Sequence, residues 1–137
     1  MKRLGCVVFA VMLLAACATP YKQARKSTSN GYFDTVMQRG VYDVTFNGNS
    51  YTSSKKAHDY ALLHAAEVCA KNGYKTFDIV SKTDNSTSSD YFNSVLSMSV
   101  NYKQPKINLM VRCSAANNLT YDAVELRDNL KKKYKIK

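Results

Sequence analysis

A chain of 137 residues holds one domain and not two. Hydrophobic residues make up 45% of it, enough to build a core. Twenty basic residues against ten acidic give a formal charge of +10. That excess favours polyanions such as anionic lipid headgroups, acidic polymers or nucleic acid, and it equally serves to keep a surface solvated.

Residues 1–16 read as a secretion signal. MKR supplies the positive start, and LGCVVFAVMLLAA supplies 13 uncharged, mostly apolar residues. A membrane span needs roughly 20 such residues, so this run is short for a permanent helix. Its ending is specific: Leu14-Ala15-Ala16-Cys17 matches the lipobox of bacterial lipoproteins at all four positions. The resemblance implies cleavage before Cys17, a diacylglyceryl thioether on its thiol, and usually an acyl group on the new α-amino group. A thiolate is the nucleophile suited to that thioether. One acyl chain, at about 0.8 kcal/mol per buried CH₂, holds a protein marginally, whereas two or three hold it stably. Ala18 in place of aspartate implies, by resemblance to Gram-negative lipoproteins, an outer-membrane destination facing the periplasm.

Cleavage would remove Lys2, Arg3 and Cys6. The remainder keeps 18 basic and 10 acidic residues, net +8, and leaves Cys69 and Cys113 as its only thiols besides Cys17. Residues 17–30, the lipidated cysteine and ATPYKQARKSTSN, read as a flexible polar tether. Residues 31–137 form the single domain.

Within that domain, VYDVTFNG alternates Tyr42, Val44 and Phe46 on one face, a strand pattern. Ser53 or Ser54 suits a helix N-cap. From there to Asn72, helical projection gathers Ala57, Ala61, Leu62, Ala65, Val68 and Cys69 on one stripe, with Lys56, His64, Glu67 and Lys71 opposite. Asn72-Gly73 stops the helix. Three more strands follow: KTFDIVSK with Phe77, Ile79 and Ser81; VLSMSVNY with Leu96, Met98, Val100 and Tyr102; KINLMVRC with Ile107, Leu109, Val111 and Cys113. Residues 84–93 read as a mobile loop, and Pro105 as the turn of a hairpin between the last two strands. Ala123, Leu126 and Leu130 mark a second helix, with KKKYK late, as the helix dipole favours. The expected fold is α+β: a two-layer sandwich with a four-stranded antiparallel sheet in the order β-α-β-β-β-α.

Periodicity puts Cys69 on the helix stripe and Cys113 on a strand's apolar face, both toward the helix–sheet interface. In an oxidising compartment two such cysteines usually pair. A bond there would close a loop of about 45 residues and stabilise by about 4 kcal/mol in the chain-entropy model. The alternative is two buried thiols. There is no Cys-x-x-Cys.

Sequence chemistry is otherwise sparse. His58 and His64 lie six residues apart, ~120° around a helix, unlike zinc-binding pairs four apart. No nucleophile elbow, P-loop or dinucleotide fingerprint occurs. No catalytic residue, metal site or cofactor is expected. Two features can bind: the basic end Lys131, Lys132, Lys133, Tyr134 and Lys135, toward anionic lipid or glycan, and a complement of ten tyrosines, which suit interfaces and strands alike. Nucleic acid is not expected in the envelope.

One segment carries a further resemblance. Gly31-Tyr32-Phe33-Asp34-Thr35, Tyr42 to Asn49, Thr52-Ser53, Asp59 to Leu63, Ala65 to Glu67, Gly73-Tyr74 and Phe77 follow the pattern of a family of short bacterial lipoproteins without an assigned activity. The match covers residues 31–79, and His64 departs from it where the family usually carries arginine. The resemblance implies an envelope location and brings no chemistry. Together these readings predict a lipid-anchored, non-enzymatic structural, adaptor or sensor module with an envelope protein as partner. A binding module for an anionic polymer or small ligand is the alternative.

Overall fold

The computed structural model describes residues 17–26, 29–93 and 97–137. The secretion signal, Cys6, Leu14 to Ala16 and Leu96 lie outside the described residues. No helix among the described residues is long and apolar enough to cross a membrane.

Two strands that the alternation predicts form the centre of the sheet. β1 (Gly31–Gln38) precedes β2 (Val41–Asn47), and β6 (Lys106–Ser114) lies antiparallel beside β2. Val44 faces Leu109 and Phe46 faces Ile107 in register, and all four are buried. β3 (Thr76–Asp84) pairs with the other side of β6, with Phe77 opposite Cys113. A bulge between Ile79 and Ser81 shifts that register. It turns Ser81 away from the face shared by Phe77 and Ile79, where strict alternation puts it, and leaves Val80 exposed.

The sheet has five strands in the order β1-β2-β6-β3-β7, not four. Its short last strand, β7 (Tyr121–Asp122), pairs with the start of β3. Its first strand, β1, has no clean apolar alternation, because most of its residues are exposed beyond the first three. The other departure concerns the segment expected to be a loop and the strand after it. β4 (Thr87–Asn93) and β5 (Met98–Gln104) form a separate two-stranded ribbon. Thus Met98, Val100 and Tyr102 belong to that ribbon and not to the main sheet. Pro105 is a break between β5 and β6, not a hairpin turn: β5 pairs with β4 and β6 with β2 and β3. The Pro105 carbonyl instead accepts from Gly48 N–H at 2.8 Å.

α1 (Ser54–Lys71) starts where the sequence says. Ser53 is extended, with φ −69° and ψ 153°, and its hydroxyl accepts from Lys56 N–H. The helix stops at Asn72, and Gly73 takes φ +84°, which suits a residue without Cβ. α2 (Ala123–Lys133) is capped by Asp122, which accepts from Glu125 N–H. α1 packs on β2 and β6 and against α2, so the fold is the expected two-layer α+β arrangement. Packed against both partners, α1 buries more than one stripe: Tyr60, Leu63 and Ala66 are inside with the predicted residues.

The stretch expected to be a free tether is bound to the domain. Thr19 is 2% exposed. Its N–H donates to Thr52 Oγ1 at 2.9 Å, and its hydroxyl accepts from Asn49 N–H at 2.8 Å. Tyr21 stacks on Tyr32 with ring centroids 4.5 Å apart, and Gln23 bridges to Tyr32 of β1. A composition that reads as polar linker therefore hides specific long-range hydrogen bonds.

Candidate functional site

Cys17 is exposed and free, directly before the docked segment. Its carbonyl accepts from Asn49 Nδ2 at 2.7 Å. Asn49 also accepts from Thr52 Oγ1 at 2.9 Å and from Tyr51 N–H, which ties the turn after β2 to Thr19. Gly48 is required there, because a Cβ would lie 2.8 Å from Thr52 and 2.9 Å from Pro105.

Cys69 and Cys113 are joined in a disulfide with Cα atoms 5.8 Å apart. Periodicity alone places both on the helix–sheet interface, and Phe77, opposite Cys113 in register, lies fully buried in the same core.

The second constellation was not legible as a site. His64 projects to the polar side of an isolated helix, yet it is 7% exposed, because β1 and the docked segment cover that side. Its ring stacks on Tyr32 at 4.2 Å, and its Nε2 lies 2.7 Å from Asp34 Oδ1. Burial, opposed by Asp34, holds the imidazole pKa below its usual value. The neutral ring then donates from Nε2 to the carboxylate, and its Nδ1 is left as a buried acceptor with no partner among the described residues. The Tyr21 hydroxyl is likewise buried, close to the Glu67 carboxylate but with no partner at strict hydrogen-bond geometry among the described residues. Burial first, and then the Glu67 carboxylate, pushes its pKa far upward. His64 and Tyr32 border a cleft of about 410 Å³ whose wall also includes Asp34, Val36, Glu67 and Lys71.

The cleft opens beside an unfinished sheet edge. Tyr32 gives its N–H to Lys22 O and accepts from Ala24 N–H, both at 2.8 Å. By strand alternation, Asp34 and Val36 direct their backbone groups to the same side. There β1 has no strand partner among the described residues. Val36 and Met37 are 64% and 54% exposed.

The basic C-terminal residues are less free than their sequence suggests. Lys131 pairs with Glu67 at 3.6 Å and Lys133 with Asp59 at 2.9 Å. The Tyr134 hydroxyl also donates to Asp59. Asp59 and Glu67 thus each meet a lysine, and Asp34 meets the His64 ring. Lys132 and Lys135 enter no ion pair among the described residues. No group of three or more potential metal-ligating side chains occurs among the described residues.

No family model matches the chain, and no curated protein or solved structure matches it significantly.

Proposed function

We propose that this chain is a bacterial cell-envelope lipoprotein, anchored by acyl groups on Cys17 and resident at the outer membrane facing the periplasm. It acts without catalysis, as an adaptor or sensor that takes an extended segment of another envelope protein along β1. The lipobox supports the anchor, and the disulfide is in keeping with an oxidising compartment. The observation that carries the binding mode is the edge of β1 at Asp34 to Met37, unpaired among the described residues, with two exposed apolar side chains and a cleft beside it. Strand addition gains affinity from main-chain hydrogen bonds and specificity from pockets for alternate side chains.

A photo-crosslinker at Met37 in the protein as it sits in its own membranes tests this. The expected result is one discrete protein adduct that disappears with Val36→Pro, which removes an outward N–H. An adduct indifferent to the proline, or none, rejects the edge as the contact. The orphan Nδ1 of His64 supports a second reading, a small donor-bearing ligand in the cleft. In that case small molecules would shift the His64 ring resonances while crosslinking at Met37 stayed empty.

A further inference from the structure

The docked segment and the basic end of α2 meet on one tyrosine of α1. Tyr21 packs edge-on against Tyr60 with ring centroids 5.3 Å apart, and Tyr134 does the same at 5.1 Å. α2 starts past the stop of α1, where Ala123 N–H donates to Lys75 O at 2.9 Å. It runs back to set Lys133 and Tyr134 on Asp59, in the second turn of α1. α1 itself begins beside Thr52, which holds Thr19, and the Cys17 carbonyl is bonded to Asn49 just before. Cys17, the start of α1 and the end of α2 therefore lie toward one pole. The β1–β2 turn lies at the opposite one, with Gly40 beside Tyr74 and Cys113.

Lys55, Lys132, Lys135 and Lys137 are exposed toward the Cys17 pole and enter no ion pair among the described residues. The neighbouring Asp59 is already held by Lys133 and Tyr134. Lys135 is also unusual in its backbone. Ile136 N–H donates to Lys131 O at 2.9 Å and Lys135 N–H to Lys132 O at 3.3 Å, the paired bonds that close a helix through a left-handed residue. Lys135 is that residue, with φ +53°, a position glycine fills without strain. Ile136 packs on the core, while Lys135 and Lys137 on either side of it are exposed. A charged side chain thus stands where the backbone favours glycine.

We infer that the basic end of α2 is a second membrane contact, set on the anionic headgroups of the bilayer that receives the Cys17 acyl chains. The inference rests on the lipid-anchor reading for its orientation. Cys17 is itself bonded to the domain, so no free chain separates the acyl groups from this pole, and the docked segment is a mount rather than a tether. A lipid chain that holds marginally alone holds stably with a basic patch beside it. Each basic side chain near an anionic surface strengthens the contact about fivefold. Tyr51, 63% exposed in the turn that holds Cys17, suits the headgroup level. With this pole on the membrane, the edge of β1 from Asp34 to Met37 runs away from it, toward the aqueous side.

The test is tryptophan quenching in the full-length protein, purified from membranes and returned to vesicles with nitroxide-labelled headgroups, with and without phosphatidylglycerol. The protein has no native tryptophan. Lys137→Trp reports the end of α2 and spares Lys132 and Lys135, and Met37→Trp at the far pole is the control. The mass of the N-terminal peptide reports acylation of Cys17. Quenching of the Lys137→Trp reporter that needs phosphatidylglycerol, with none in the control, supports the inference. It should fade as salt rises from about 0.1 to about 1 M, where the screening length drops from about 10 to about 3 Å. Adding Lys132→Ala and Lys135→Gly should shift the balance about 25-fold toward the undocked state. The urea midpoint should be no lower, since glycine suits φ +53°. An acylated protein whose reporter is quenched no more than the control, or equally without phosphatidylglycerol, overturns the inference and leaves the anchor intact. If acylation is absent and phosphatidylglycerol still brings quenching, the anchor reading falls and the headgroup contact stands. If both are absent, both fall.

Discussion

His64 presents Nε2 to Asp34 Oδ1 at 2.7 Å, joining the middle of α1 to the outermost strand of the sheet. His64 stacks on Tyr32, which stacks on Tyr21, so the docked segment, β1 and α1 meet in one continuous set of contacts. The groups acting on this ring are Asp34 from β1 and Glu67 and Lys71 from α1 itself.

Stability should therefore fall on mild acidification. Burial is the larger influence on His64 and lowers its pKa, and His58 is lowered too, by burial and then Lys82. Unfolded imidazoles protonate near pH 6.5, and the folded ones only below that. Between those values the unfolded chain holds more protons, so stability rises with pH and levels off above about 6.5. Urea midpoints measured across about pH 5 to 8 should show a plateau with an acid-side decline, less steep in His64→Gln. A midpoint that stays level or climbs as pH falls contradicts the assignment.

The Cys69–Cys113 bond spans 44 residues. Its loss should lower unfolding free energy by about 4 kcal/mol in the chain-entropy model. Cys69→Ala with Cys113→Ala should shift the urea midpoint strongly downward without changing the far-UV spectrum in the absence of denaturant. A shift near zero would show that the staple contributes nothing net to stability.

Gly31 controls the docking of the N-terminal segment. Its φ is +124°, and a Cβ would sit 2.5 Å from Lys22 O and 2.8 Å from Ala24 N. Those are backbone atoms, so a larger residue must displace the segment or strain β1, at a cost of about 1–3 kcal/mol. Gly31→Ala should speed hydrogen exchange at Tyr32 and Ala24 and open the chain after Lys22 to trypsin. Unchanged protection at both amides would show that the added methyl is accommodated without displacing the segment.

How much of this was legible depended on which force wrote each element. β2, β6 and α1 are set by burial and caps, so Tyr42, Val44, Phe46, Ile107, Leu109, Ser53 and Asn72 announce them. The disulfide followed because two independent periodicities aimed Cys69 and Cys113 at one interface. β1 escaped because an edge strand keeps most side chains in solvent. The docked segment escaped because Thr19, Asn49 and Thr52 bond over some 30 residues, and local composition carries no trace of that. His64 escaped for the same reason: a helix wheel assumes one buried face, while here a second layer of contacts covers the polar one. The pairing of Asp34 and Tyr32 two residues apart on a strand was the available clue.

The C-terminal lysines divide into two kinds, and mutagenesis should separate them. Asp59 receives the Tyr134 hydroxyl and Lys133 Nζ, and these bonds outweigh the burial that would raise its pKa, so the carboxyl titrates below its usual range. Its contribution is present above pH 3.8 and is lost as pH falls through the lowered value. Tyr134→Phe should destabilise by about 1 kcal/mol, since it strips one bond from a half-buried carboxylate. Lys133→Ala should cost less than about 1 kcal/mol because the pair is solvent-screened. Lys132→Ala and Lys135→Ala should leave stability unchanged. If retention on anionic vesicles depends on the basic end, those last two variants should weaken it without touching the urea midpoint. A loss confined to Lys131→Ala and Lys133→Ala, matched by a lower midpoint, would assign the lysines to holding α2 on α1 rather than to lipid.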